Sequence, residues 1–141
     1  MTNDKQNGAV RGNLRLVLRI EGLAVLLSTL ILYDYISMAS WKIFFILFFV
    51  PDVSFLGYLA GKKVGAICYN LMHSYITPLF SGILFWYLSL TDLSYIILIW
   101  IAHIGFDRTL GYGLKYFDGF NYTHLGKIGS FKKLVDRVDN Q

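Results

Sequence analysis

The sequence predicts an all-α fold, a bundle of four transmembrane helices with both termini in the cytoplasm. Three observations predict it: apolar residues fall in long blocks, short polar connections separate the blocks, and basic residues sit almost entirely on one side of the resulting path. Of 141 residues, 55% are hydrophobic and 16% charged, against about 45–50% and about 25% in soluble domains. Stretches 23–33, 43–50, 76–90 and 95–102 hold almost nothing that seeks water. A soluble domain of this length has too little interior to enclose them, whereas a bilayer takes up about 20 apolar residues per helix.

Residues 1–13 are polar and contain glycine, which predicts a frayed tail. The transmembrane domain, 14–110, begins with a first span over 14–33. There Arg15 and Arg19 have stems long enough to reach the headgroups. Ser37-Met38-Ala39 resembles a small-x-small signal cleavage site, but the apolar stretch before it is long for a signal sequence and Tyr33-Asp34-Tyr35 is a poor approach to a peptidase. The span is therefore retained. A second span covers 41–60, and Pro51-Asp52 inside it should kink or interrupt it. Gly61-Lys62-Lys63 is a tight turn, so the third span, 64–88, runs antiparallel to the second. Its length exceeds what a bilayer needs, and tilt or a bend near Pro78 would absorb the excess. Thr91 to Ser94 turns the chain into a fourth span over 95–110. Residues 111–141 form a cytoplasmic tail rich in glycine, aromatic and basic residues.

Orientation follows from lysine and arginine placement. Of the 13 such residues, Lys42 alone falls on the far side, where Asp34 and Asp92 also lie. The others occupy the N-terminal region, the Lys62-Lys63 turn and the C-terminal end, which places both tails in the cytoplasm. Trp41, Trp86 and Tyr95 then belong to the outer interfacial belt. The formal charge of +4 does not indicate nucleic acid as a partner, because no arginine-rich stripe interleaves with exposed aromatics. Cys68 is the only cysteine, which excludes an intrachain disulfide and a CxxC metal motif. Gly57, Gly61 and Gly65 have the spacing of small-residue helix contacts, but the series crosses a turn, and only Gly57 reads as close packing between spans two and three.

Ionisable side chains inside hydrocarbon cost about 2.5–3.5 kcal/mol each, and the spans contain Glu21, Asp52, His73, His103, Asp107 and Arg108. At a rise of about 1.5 Å per residue, Glu21, Asp52, His73 and His103 fall about 10–14 Å from the cytoplasmic ends, and Asp107 about 5 Å. All four spans thus supply a polar group to one inner-leaflet layer. His103 and Asp107, four apart, share a helical face. Asn70 and His73, three apart, share another, and Tyr69 and Tyr75 can add hydroxyls. The missing amide hydrogen of Pro51 leaves a carbonyl one turn back available beside Asp52. Two histidines with two or three carboxylates suit zinc, manganese or iron. The bland readings are equally concrete: transmembrane histidines often serve as interhelical hydrogen-bond donors, Asp107-Arg108 reads as an interfacial charge pair, and Glu21 as a partner of Arg15 or Arg19.

Two tail motifs bear on function. Thr109-Leu110-Gly111-Tyr112-Gly113 looks like the TxGYG filter of potassium channels, but that filter needs a preceding pore helix and a following lining helix. Here a full span precedes and a polar tail follows, so the glycines instead permit a sharp exit from span four. Thr123-His124-Leu125-Gly126 lies on the same side as the membrane cluster, where a folded-back tail would act as a lid and His124 would add a ligand. An exposed loop histidine is the other reading.

Arg19-Ile20-Glu21-Gly22-Leu23, Pro51-Asp52-Val53-Ser54 with Leu56-Gly57-Tyr58, Tyr69-Asn70 with His73, and Ala102-His103-Ile104-Gly105-Phe106-Asp107-Arg108 carry a family resemblance. Gly111-Tyr112-Gly113-Leu114-Lys115-Tyr116 and Thr123-His124-Leu125-Gly126 complete it. Together, over about residues 14–129, they resemble a bacterial family of small membrane proteins catalogued as domain of unknown function 4260. The resemblance implies a four-helix protein of the bacterial cytoplasmic membrane and no particular reaction. Pro51-Asp52 and Thr123-His124 are also similar to elements of bacterial membrane-bound metal-dependent hydrolases, although Val53 and Ser54 stand where that family is denser in Asp and His.

Three functions follow as expectations. In the first, a membrane-embedded hydrolase holds a divalent metal through Asp52, His73, His103 and Asp107, with His124 available to complete the site. Glu21 serves as general base and Arg108 steadies an anionic, lipid-like substrate. In the second, a proton- or ion-linked transporter uses the cluster as a relay and dimerises to do so. In the third, a non-catalytic scaffold uses the polar layer only to specify helix packing.

Overall fold

The computed structural model describes residues 10, 13–37, 39–117 and 122–127. The rest of the expected tails 1–13 and 111–141, with Lys5, Arg11, Lys132, Lys133 and Arg137, lies outside the described residues, as does Met38 of the small-x-small sequence. The chain forms α1 (Asn13–Ile36), α2 (Trp41–Phe48), a 3-10 helix (Val50–Ala60), α3 (Lys62–His73) and α4 (Ile76–Tyr87). A 3-10 turn (Thr91–Leu93) then leads into α5 (Ser94–Leu110). Among the described residues, three stretches are long and apolar enough to cross a membrane: Asn13–Ile36, Trp41–Ala60 and Thr91–Leu110.

α1 is continuous because nothing in it breaks a helix: leucine, isoleucine and valine dominate, and no proline occurs. Its end is fastened to α2. The Tyr33 hydroxyl donates to Ser40 O at 3.0 Å, and the Trp41 indole donates to Asp34 Oδ1 at 3.1 Å. Ser40 caps α2, its Oγ accepting from Ile43 N. α1 runs antiparallel to α5, and Tyr33, Phe44, Phe48, Ile99 and Ala102 form the buried core between α1, α2 and α5. Lower in the pair the two backbones touch. A Cβ added to Gly105 would lie 2.9 Å from Leu26 N and 3.0 Å from Gly22 O, and one added to Gly22 would lie 2.5 Å from Arg108 Cβ. Small residues permit this approach, which packing in lipid rewards.

The second stretch changes winding at its middle. α2 ends at Phe48, and Pro51 starts the 3-10 helix, occupying a first-turn position where its missing N–H costs nothing. With three residues per turn, Asp52, Phe55 and Tyr58 fall in line, and all three are half-buried. Phe55 meets Tyr69 with ring centroids 5.2 Å apart, and Gly65 lies directly under the Tyr58 ring. Gly57 approaches Cys68, where a Cβ would sit 2.8 Å from Cys68 Cβ. The 3-10 helix and α3 thus form an antiparallel hairpin around Gly61, which turns at φ +115°.

The expected single helix over 64–88 is two helices of 12 residues each, parted at Ser74, whose φ and ψ of −96° and 137° are extended. The cause is Pro78. A proline ring collides with the carbonyl four residues back, and that residue is Ser74. The carbonyls freed at the end of α3 are taken up by side chains. Thr77 Oγ1 donates to Leu71 O, Trp100 Nε1 to Met72 O at 2.6 Å, and Arg108 Nη2 to His73 O at 3.0 Å. Such compensation is what irregular backbone requires away from water.

α5 stops at Gly111, which adopts a left-handed conformation at φ +91°. Gly111 N bonds to Arg108 O and Tyr112 N to Asp107 O at 2.8 Å, the paired bonds of a glycine-terminated helix. The TxGYG-like sequence is therefore a helix terminus. Beyond it the chain turns back, and β1 (Tyr122–Thr123) pairs antiparallel with β2 (Gly126–Lys127). Val10 N donates to His124 O at 2.8 Å, so both ends of the helical region meet at one pole of the molecule.

Candidate metal centre

Three elements converge beside the break between α3 and α4. The 3-10 helix contributes Asp52, α3 contributes His73 at its last position, and α5 contributes His103 and, one turn on, Asp107. His73 and His103 are almost completely buried, at 1% and 2% exposure. Their Nε2 atoms lie 3.1 Å apart, and Asp52 Oδ1 lies 3.4 Å from the first and 3.5 Å from the second. A tetrahedral zinc ion with bonds of about 2.0–2.1 Å holds its ligand atoms about 3.3 Å apart. The triangle of Asp52, His73 and His103 has that size.

The surroundings orient the triangle. His73 Nδ1 lies 3.0 Å from Tyr69 O. A carbonyl only accepts, so Nδ1 carries the proton, and in the neutral ring Nε2 presents its lone pair to the cluster, as a metal-binding histidine requires. The Tyr69 ring stacks on His73 at 3.8 Å between centroids and 11° between planes. Its hydroxyl donates to Asp107 Oδ2 at 3.3 Å. His103 stands edge-on to Phe48 at 5.2 Å, and its Nδ1 has no hydrogen-bond partner among the described residues. On its Nδ1 side that ring is held by packing. Asp107 Oδ2 lies 3.5 Å from His73 Nε2 and 3.9 Å from His103 Nε2, but the group whose ligand atoms all fall within 4.8 Å of one another comprises Asp52, His73 and His103. Asp107 flanks the triangle.

A pocket of about 360 Å³ opens beside these groups. Asp52, Asp107, Tyr69 and Lys115 line its polar side, and Phe106 and Leu110 form apolar walls. Lys115 arrives there because the tail folds back. Its backbone N donates to Asn70 Oδ1 at 2.7 Å, and its O accepts from Asn70 Nδ2 at 2.9 Å, so the Asn70 side chain acts like a strand neighbour. The ammonium sits 4.9 Å from the centre of the Tyr69 ring and 5.8 Å from that of Phe55, within cation–π range. Burial pushes the Lys115 ammonium down to about 8, with Asp107 pulling the other way.

Other residues singled out from the sequence have different surroundings. Glu21 lies at the expected height, beside Gly22 and the Gly105 contact, but on the exposed face of α1 and not among the pocket-lining residues. One residue corresponds to about 100° of helix rotation, and it is Gly22 that faces α5. The cluster is built from the 3-10 helix, α3 and α5, without α1. His124 is outside the triangle: its Nδ1 accepts from Leu114 N at 2.8 Å within the tail. Burial first, and the nearby Arg108 charge second, lower its pKa, which keeps the ring in the neutral form that this acceptor role needs. Arg108 is committed to backbone, donating from Nη1 to Tyr112 O at 2.9 Å and from Nη2 to His73 O. It clamps the break to the end of α5 and is not directed at the pocket. Sequence reasoning counted Lys115 only as a cytoplasmic charge. The signal available for it was its place in the Gly-Tyr-Gly-Leu-Lys-Tyr motif after a helix-ending glycine.

No curated protein and no solved structure matches the chain. A family model described as a domain of unknown function, DUF4260, matches residues 15–128, which takes in Asp52, His73, His103, Asp107 and Lys115. That range covers most of the chain, and the chain belongs to the DUF4260 family.

Proposed function

We propose that this chain is a multi-pass protein of the bacterial cytoplasmic membrane that holds a divalent metal at Asp52, His73 and His103 and acts as a membrane-embedded hydrolase. The observation that carries the reading is the triangle of ligand atoms, with separations of 3.1, 3.4 and 3.5 Å, close to the edge of a tetrahedral zinc site at about 3.3 Å. Three protein ligands leave one coordination position open, the pattern of catalytic sites. A metal held by these three residues would supply Lewis-acid chemistry, activating water and polarising a substrate oxygen. Asp107 stands at the open side, oriented by Tyr69, and takes the general-base role first assigned to Glu21.

Four crossings agree with the packing. α3 and α4 together make the third pass, with the broken backbone bonded to α5 through Trp100 and Arg108. Residues of the α1–α2 connection and of the 3-10 turn before α5 line one common pocket at the pole opposite the chain ends. The basic Lys62-Lys63 turn, read at the same pole as the ends, supports a cytoplasmic location for that pole.

A second reading is favoured by the 3.1 Å His73–His103 contact, which without metal is a complete interhelical hydrogen bond. The cluster would then only stitch α3 to α5. Elemental analysis of the purified full chain separates the two. About one zinc, manganese or iron per chain in the wild type, lost in His73→Ala/His103→Ala, is expected. Negligible metal in both proteins, after expression with all three metals supplied, rejects the metal reading.

A further inference from the structure

Glu21, outside the metal pocket, is left without a role by the metal reading. It occupies the exposed face of α1, eight residues after Asn13 and so about 12 Å along the helix. Val17, Ile20 and Leu23 are exposed around it, so the carboxylate emerges from an apolar surface. The arginines expected to pair with it are turned elsewhere. Arg19 stands two residues back, about 200° of rotation away, and its Nε donates to Thr109 O at 2.8 Å, while Arg15 Nη2 lies beside Gly111. Among the described residues no hydrogen bond or ion pair reaches the Glu21 side chain. Ionisable groups within a membrane span almost always face protein or a water-filled cavity, so an outward-facing carboxylate calls for a polar group from a second molecule.

The face to which Glu21 belongs has a coiled-coil period. Val17, Glu21, Ala24, Ser28, Ile31 and Tyr35 follow spacings of four and three, the 3.5-residue repeat at which helices wrap around one another, and all six are exposed. The contacts of α1 with α5, at Gly22 and Leu26, lie on its other side. Ala24 and Ser28 are small, which lets two backbones approach, whereas Leu16, Leu23 and Leu27, exposed off this line, are bulky. We infer that this seam is a dimer interface, where α1 packs in parallel on α1 of a second copy of the chain and the two Glu21 side chains bond to each other. A twofold axis along the membrane normal places identical residues at one depth, so a second copy supplies a polar group at the height of Glu21 by symmetry alone. Sharing one proton, the two carboxyl groups form an O–H···O⁻ hydrogen bond, stronger than a neutral one. A polar pair inside an apolar seam also fixes register and the number of helices. The inference is independent of the metal reading, since no seam residue lines the metal pocket.

Disulfide mapping in native membranes tests it, on the full chain with Cys68→Ser and one added cysteine at a time. With copper phenanthroline as oxidant, Ala24→Cys and Ser28→Cys should each give at least ten-fold more linked dimer than Leu16→Cys and Leu23→Cys, which point off the seam. Sedimentation equilibrium in detergent reads the role of the carboxyl group. Glu21→Gln, whose amides can pair in the same place, should dimerise as wild type does. Glu21→Leu and Ala24→Leu should each raise the dissociation constant at least ten-fold. Both side chains are exposed in one copy, so helix content by circular dichroism should match wild type in every variant. A monomeric wild type without linkage at positions 24 and 28 overturns the inference, as does equal linkage at all four positions. Undiminished dimerisation of Glu21→Leu overturns the pairing of Glu21. Linkage of a seam cysteine to a different protein overturns the second copy as the occupant.

Discussion

Tyr69 is the residue on which most of the site depends, because four parts of it act at once. Its carbonyl sets the tautomer of His73, its ring stacks on the same imidazole, its hydroxyl holds Asp107, and its face receives Lys115. The last contact has a pH consequence. Burial brings the Lys115 pKa to about 8, below the ordinary lysine value of about 10.4. Between those values the folded chain binds fewer protons than the unfolded one, so the contribution of Lys115 to stability rises with pH across that window and is lost as pH falls through about 8. Melting temperatures of wild type and Lys115→Met, compared between pH 7.5 and 9.5, should differ by an amount that shifts in favour of wild type as pH rises. A pH-independent difference would show that Lys115 is not held in the buried setting described.

Among the helices, the tightest junction is α1 on α5, and it is made by backbone. The atoms that a Gly105 Cβ would meet, Leu26 N and Gly22 O, cannot rotate away, so the helices themselves must separate. Gly105→Ala should destabilise by about 1–3 kcal/mol, as overpacking does, and should lower the melting temperature and the metal retained, since His103 and Asp107 move with α5. Gly82 in α4 is the matched control. A Cβ there meets only Ile97 side-chain atoms, the nearest at 3.6 Å, and Gly82→Ala should be neutral or stabilising by up to about 1 kcal/mol. Equal effects of the two substitutions, measured by thermal unfolding in detergent, would remove the close-contact account. The break between α3 and α4 follows related logic. Pro78 forces it, and Thr77, Trp100 and Arg108 make it tolerable by bonding three freed carbonyls. It also places His73 at a helix end, where its ring and its carbonyl face α5 together.

Across the whole molecule, a polar lower half is set against an aromatic upper half. Tyr33, Trp41, Phe44 and Phe48 pack ring to ring with centroids 5.0–5.6 Å apart, and the triangle of Asp52, His73 and His103 lies below them, toward the pole where the ends meet. The proposed topology predicts how each pole is reached by reagents. In a Cys68→Ser background, single cysteines replacing Ser37 or Thr91 should react with a membrane-impermeant maleimide in intact spheroplasts. A cysteine replacing Lys62 should react only after the membrane is opened. Labelling of the Lys62 position from outside would reverse or refute the four-pass arrangement.

Hydropathy blocks, an irregularity near Pro78 (read as a bend and not as a break), the helix end at Gly111 and the common height of Asp52, His73 and His103 were legible in the linear order of residues. Height along a helix is a linear property, fixed by a nearly constant rise. Direction around the axis is not. The 3-10 winding turns about 120° per residue where an α-helix turns about 100°, and this is what brings Asp52 into line with Phe55 and Tyr58. The Gly22–Gly105 contact rotates Glu21 outward, and the folded-back tail carries Lys115 to the pocket while it occupies His124 elsewhere. Arg108 was readable as a charge near a helix end, but one of its partners is the His73 carbonyl, freed by a break 34 residues earlier in the chain at Ser74, and the other is Tyr112 O. Contacts between distant segments decided those roles, because only packing in three dimensions determines which face of each helix is turned inward.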